Sequence, residues 1–204
     1  MRQVPAAIGV SDHYGHAVLV TVALEDGSTP TVLDRRDAQL RDPALPGSPY
    51  HHDTRGMERA AADALLAAVR AAVDRLAAAA LASLMADLGP AYVHLGLSMR
   101  PSPLPALPLT TAEAHADYRV MCAADGMLYH HAVAEAARCI GLPVHTHRRH
   151  HEIEDAAAAT GRPIPAVDTW LKAEGRRLGP PWRADEKTAA LAAWPLLARQ
   201  AGVR

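Results

Sequence analysis

Phenylalanine and asparagine are missing from this sequence, and lysine occurs only twice, at Lys172 and Lys187. The amino acids with AT-rich codons are the scarce ones, which reads as a coding bias before it reads as physics. Half of the 204 residues are hydrophobic, but much of that half is alanine, so large apolar side chains are few. There is also no charge of one sign to speak of. The formal net charge is -1, so no global basic field draws the chain to nucleic acid, and any such contact must come from a local patch. Only two cysteines occur, Cys122 and Cys139. That excludes a disulfide scaffold and, with no C-x-x-C, a thiolate zinc ribbon. Read on one helix, the two thiols stand ~25 Å apart at 1.5 Å per residue, too far to bridge, and are expected to be buried and free.

Long hydrophobic runs are lacking as well. The most apolar stretch, Leu65 to Leu88, is broken by Arg70, Asp74 and Arg75 and reads as an amphipathic helix rather than a membrane span. The first residues carry no apolar run followed by a cleavage site, so a cytoplasmic location and no membrane contact are expected. G-x-S-x-G, the P-loop and G-x-G-x-x-G are all missing, which removes the commonest hydrolase, nucleotide and dinucleotide signatures.

What is present is a regular alternation of elements. Ala6 to Ser11 predicts a buried strand entering a turn at Asp12-His13-Tyr14-Gly15. His16 to Leu24 predicts a second strand ending at Asp26-Gly27, a hairpin signal, and Thr31 to Gln39 a third. Prolines make Arg41 to Gly56 a loop. Met57 to Leu88 has apolar residues at helical spacing and stops at Gly89-Pro90. Ala91 to Ser98 is a fourth strand, expected to lie parallel to the first. Thr110 to Glu113 has the spacing of a capping box, opening a long helix to about Ile140 with a bend at Gly126. Leu142 to His147 is a fifth strand and His150 to Thr160 a short helix. A loop-rich insert spans about 158–182, with one helical turn near Trp170 and Pro180-Pro181-Trp182 anchoring it. Asp185 to Arg199 is a last helix interrupted by Pro195. The expected fold is a single α/β domain, 1–204, with a mixed five-stranded sheet, an antiparallel meander followed by parallel strands, flanked by helices.

Three passages carry a resemblance. Ile8-Gly9-Val10-Ser11-Asp12 puts an aspartate at the end of the first strand. Gly126 to Val144 runs helix to Gly-Leu-Pro-Val. Ala184-Asp185-Glu186-Lys187 opens the last helix with acids. Together with the order of elements, they resemble the ribonuclease-H superfamily, nearest to the bacterial Holliday-junction resolvases. The resemblance implies carboxylates from the first strand, the fourth strand and the last helix holding two divalent ions, Mg²⁺ or Mn²⁺, which stabilise the attacking and leaving oxygens of a phosphoryl displacement. It maps onto Asp12 and onto Asp185 or Glu186, with Asp12 and Asp185 as metal ligands. The fourth strand, Tyr92 to Ser98, offers no carboxylate, and Asp117 on the next helix is the candidate to fill the gap. Each acid has a plainer role: Asp12 as a turn former, Asp185 and Glu186 as first-turn acids on a helix dipole.

Twelve histidines invite a zinc reading that their spacing does not support. Neighbours such as His130-His131 point apart on a helix, and His147 and His151 could chelate only if both were helical. His51-His52, in the proline-bounded loop, is read as a cleft-lining pair and not as a zinc site. Arg100, Arg119 and Lys187, with the His145–His151 run and its Arg148 and Arg149, are expected to form a local basic rim for phosphates. Nucleic acid is thus the expected partner, and homodimerisation is left open. Two functions remain: a metal-dependent nuclease or phosphodiesterase, and a non-catalytic binding or scaffold protein with an incomplete carboxylate set. The distance between Asp12 and Asp185 decides between them.

Overall fold

The computed structural model describes residues 3–25 and 29–201. Three strands open the chain: β1 (Val4–His13), β2 (His16–Ala23) and β3 (Thr31–Gln39). They form the expected meander, β1 and β2 antiparallel through a tight turn at Tyr14-Gly15, where Gly15 adopts φ 82°. The Asp26-Gly27 turn signal lies outside the described residues. Helix α1 (Arg59–Leu88) then crosses to β4 (Tyr92–Met99), which pairs parallel to β1, and β5 (Val144–Thr146) adds parallel to β4. The sheet order is β3-β2-β1-β4-β5, so β1 is central.

Alternation along β1 sorts its side chains between two layers. Ile8 and Val10 join the core made with α1 and with α3 (Tyr118–Cys139). Ala7 faces the other core, under α4 (Glu152–Thr160), α5 (Ile164–Leu178) and α6 (Ala184–Ala201), and Gly9 lies against the α6 backbone. The strand also runs two residues further than expected. Asp12 pairs with Ala17 inside the ladder, so it is a strand residue and not the turn former.

Several other expectations give way. The helix after Thr110 is not continuous to a bend at Gly126. A short α2 (Thr111–His115) ends first, and α3 restarts at Tyr118 with Asp117 as its N-cap, accepting from the Arg119 N–H at 2.7 Å. Both cysteines lie on α3, but both are exposed. The insert is not loop-rich: α5 fills it. Prolines at 163 and 165 bracket Ile164 at its start, where missing N–H groups cost nothing. Val167, Trp170, Leu171 and Glu174 then recur at helical spacing on its buried face. Trp182 does anchor the segment, donating to the Leu171 carbonyl at 2.9 Å beside Gly175. Helix α6 runs on through Pro195. None of the described helices is long and apolar enough to cross a membrane.

Candidate functional site

β1, β4 and β5 run parallel and end on the same side of the sheet, the side on which open α/β sheets bind ligands. A cavity of about 550 Å³ opens there. β1 contributes Ser11, Asp12 and His13. The residue after β4 contributes Arg100, the β5–α4 connection His147, Arg149 and His150, α4 its first residue Glu152, and α6 Asp185 and Thr188.

The two central acids are held on opposite faces of β1. Asp12 points toward α3, with its side chain 1 % exposed, and its Oδ2 accepts from the Arg100 guanidinium at 2.7 Å. Its Oδ1 lies 3.2 Å from Nδ1 of buried His130, a close contact that lacks the alignment of a hydrogen bond. Ser11 and His13 point the other way and meet Asp185: Oδ1 accepts from the Ser11 hydroxyl at 2.9 Å and lies 2.7 Å from His13 Nε2. Glu152 accepts from the His150 N–H at 3.0 Å and stands 3.4 Å from His147 Nε2. His150 holds a left-handed backbone, φ 66°, at the rim. A non-glycine residue there stores strain of the kind found near binding sites.

Electrostatics follow these contacts. Burial pushes the Asp12 carboxyl up, but His130 and Arg100 outweigh it and hold the group below its ordinary value. Burial likewise raises Asp185, while Ser11 and His13 bring it below the ordinary value. Mutual repulsion between clustered carboxylates, which would raise both, is not what this site shows. Burial lowers the His147 imidazole, against the pull of Glu152.

The other expected site residues lie elsewhere. Asp117 and Arg119 are exposed at the start of α3, whereas the cavity meets that helix at Met127, so Asp117 fills no gap. Glu186 turns back on its own helix, accepting from the Arg183 N–H at 2.7 Å. Lys187, two residues beyond Asp185 and so on the far side of α6, is exposed outside the cavity. His51 and His52 pack ring against ring, tilted, with centroids 4.0 Å apart in the proline loop and Tyr118 edge-on to His51, and do not border the cavity. Arg148 pairs with Asp155. His147 and His151 precede α4, so no helix aligns them. The basic rim therefore reduces to Arg100 and Arg149. Glu152 is a cavity residue outside the expected set, hidden in the sequence by the cationic run before it; an acid opening a helix shortly after a strand is the signal that marks it.

No protein-family model matches the sequence, and no curated protein does. Solved structures do. Two structures of Thermus thermophilus RuvC, one of them in complex with Holliday junction substrate, match at a TM-score of 0.53 and 13% identity, over 96% of this chain and 96% of theirs. The fold is ribonuclease-H-like.

The two-metal arrangement that the resemblance implies can be tested on the donors present. Divalent magnesium or manganese wants a shared set of oxygen ligands. Here one Asp12 oxygen is occupied by Arg100, Asp185 stands across the strand, and β4 is followed by a cation rather than carrying a carboxylate. Among the described residues, no three His, Cys, Asp or Glu side chains gather as a metal-binding group. The residues do not fit the two-metal set.

Proposed function

We propose that this chain is a nucleic-acid-binding protein of ribonuclease-H-like fold that does not cleave by the two-metal route. The observation that carries this reading is the Arg100–Asp12 pair at the floor of a cavity beyond the ends of β1 and β4. Each lining carboxylate already has a donor: Asp12 has Arg100, Asp185 has Ser11 and His13, and Glu152 has the His150 N–H. The cations facing the cavity are Arg149 and the unspent N–H groups of Arg100, with His13, His147, His150 and Thr188 around them; the first turns of α4 and α6 are taken up by their own acids, Glu152 and Asp185 among them. The likeness to a RuvC solved with a Holliday junction makes branched DNA the substrate to try first. Fluorescence anisotropy of a labelled four-way junction should rise with protein in EDTA and fall steeply with salt. No binding to junction, duplex or single strand would defeat the reading.

A second reading, a Mg²⁺- or Mn²⁺-dependent nuclease, is favoured by one observation: Asp12, Glu152 and Asp185 all border the same cavity. It requires Mn²⁺-dependent cutting of the junction that Asp12→Asn abolishes.

A further inference from the structure

We infer that Arg100 is the resident cation of this cavity, occupying the role a divalent ion would have beside Asp12, and that it binds a phosphodiester oxygen directly, together with Arg149 and without metal. The inference rests on the nucleic-acid reading and adds to it the residues and the chemistry of contact.

The argument begins with position. In the resolvase pattern the fourth strand supplies an acid that helps to hold positive charge. In this chain β4 ends in Leu97, Ser98 and Met99, and the next residue supplies the positive charge itself. Arg100 is held by the contact with Asp12 Oδ2 at 2.7 Å and by packing on α3, where its Nη1 finds only the Met127 sulfur at 3.8 Å. A guanidinium has five N–H donors. One is used on Asp12 and one on a weak sulfur acceptor, in a side chain that is 21% exposed and borders the cavity. The remaining donors need acceptors, and a phosphate oxygen matches a guanidinium fork in geometry and charge. Arg149 borders the same cavity, is exposed, and has no ion-pair partner among the described residues. It is the natural second contact for the same or the adjoining phosphate.

Such a site reverses the sign of one mutation. At a metal centre Asp12→Asn removes a ligand and weakens binding. Here the Asp12 carboxylate offsets the charge of Arg100, so the neutral amide should leave that charge uncompensated and tighten phosphate binding. The test uses the full chain and a labelled four-way junction, by anisotropy, in EDTA and in Mn²⁺. Wild type should bind equally in both. Asp12→Asn should bind more tightly, and Arg149→Gln several-fold more weakly with a salt slope lower by about one. The double variant Asp12→Asn/Arg100→Gln, which leaves no buried charge unpaired, should lose the gain. Binding that requires Mn²⁺, or that Asp12→Asn abolishes, overturns the inference while leaving nucleic-acid binding intact. If no form binds the junction, the functional reading fails on its own, and inorganic phosphate in thermal unfolding decides the inference. Phosphate should then raise the midpoint of Asp12→Asn and leave that of the double variant where it was, while equal effects on both would overturn it.

Discussion

A Cβ placed on Gly9 would lie 1.7 Å from the carbonyl oxygen of Ala189, so β1 and α6 meet backbone to backbone. Gly9 is in ordinary strand conformation, and what it provides is closeness. That closeness brings the first turn of α6 against Ser11 and His13, where Asp185 is received. Gly9→Ala cannot be absorbed by a side-chain rotation, because the obstacle is main chain. Overpacking of this kind costs about 3 kcal/mol. For a chain of this size the unfolding midpoint should drop by roughly 6–12 °C, measurable by circular dichroism. An unchanged midpoint would mean that α6 is not seated as described.

Asp125 ties the proline loop to α3. Its buried carboxylate accepts from the N–H groups of Tyr50 at 2.8 Å and His51 at 3.1 Å. Burial raises its pKa from 3.8 to about 6, with nearby Asp53 adding to the rise and the two N–H groups opposing it. A folded-state value above the unfolded one means that the folded chain keeps a proton the unfolded chain has lost. The stabilisation is therefore full below about pH 4, declines as pH rises to about 6, and is gone above it. The difference between these limits is roughly 3 kcal/mol. Urea unfolding of wild type at pH 4.5 and 7 should show part of this loss, and Asp125→Asn, which cannot titrate, should show a smaller difference between the two.

At Val32 the β3 edge of the sheet is capped by side chains from α5. Glu174, 8% exposed, accepts from the Val32 N–H at 2.9 Å, and Arg177 donates to the Val32 carbonyl at 2.6 Å while pairing with Glu174. The pair does for Val32 what a neighbouring strand would do. Glu174→Ala leaves a buried N–H unmet and should cost about 2 kcal/mol, read from the urea midpoint. An edge freed of its cover is also a template for pairing with another chain, so light scattering of the variant should rise on warming. Glu174→Gln, which keeps an acceptor, should fall between the two.

Much of this fold is legible in the sequence because strands and turns are written locally. The Gly15 turn, the proline loop and the Gly89-Pro90 stop each act through their own backbone preferences, and they set the meander and the first crossover. Helix α5 was legible too, in Val167, Trp170, Leu171 and Glu174, but four prolines and three glycines between 161 and 181 masked that period. The α2–α3 break is carried by the Asp117 side chain capping the next helix, whereas glycine at 126 lies in an unbroken one. The candidate site was half legible. Asp12, Asp185, Arg100 and Arg149 could be named, but not the face of β1 on which each would stand. That depends on β1 continuing through residue 13, which a turn reading at Asp12 concealed. Asp117, Arg119 and Lys187 lie outside the cavity, because separation along a helix says nothing of where its far end lands.

The Asp12–Arg100 pair should also be visible in stability, apart from any ligand. Asp12 is almost wholly buried, so removing Arg100 alone leaves a buried charge with only His130 nearby. Arg100→Gln should cost about 3 kcal/mol. Asp12→Asn/Arg100→Gln should cost less than the sum of its single variants, the coupling falling in the range of about 1–3 kcal/mol for groups in direct contact. The pH dependence adds a second signature. The folded value of Asp12 lies below its ordinary 3.8. Its contribution is therefore present above the unfolded value and is lost as pH falls through the folded one. Wild type should lose stability on acidification below about pH 4 more steeply than the double variant, which has no carboxylate there to protonate. Equal acid limbs, with additive single-variant costs, would show that the contact between Asp12 and Arg100 carries no free energy.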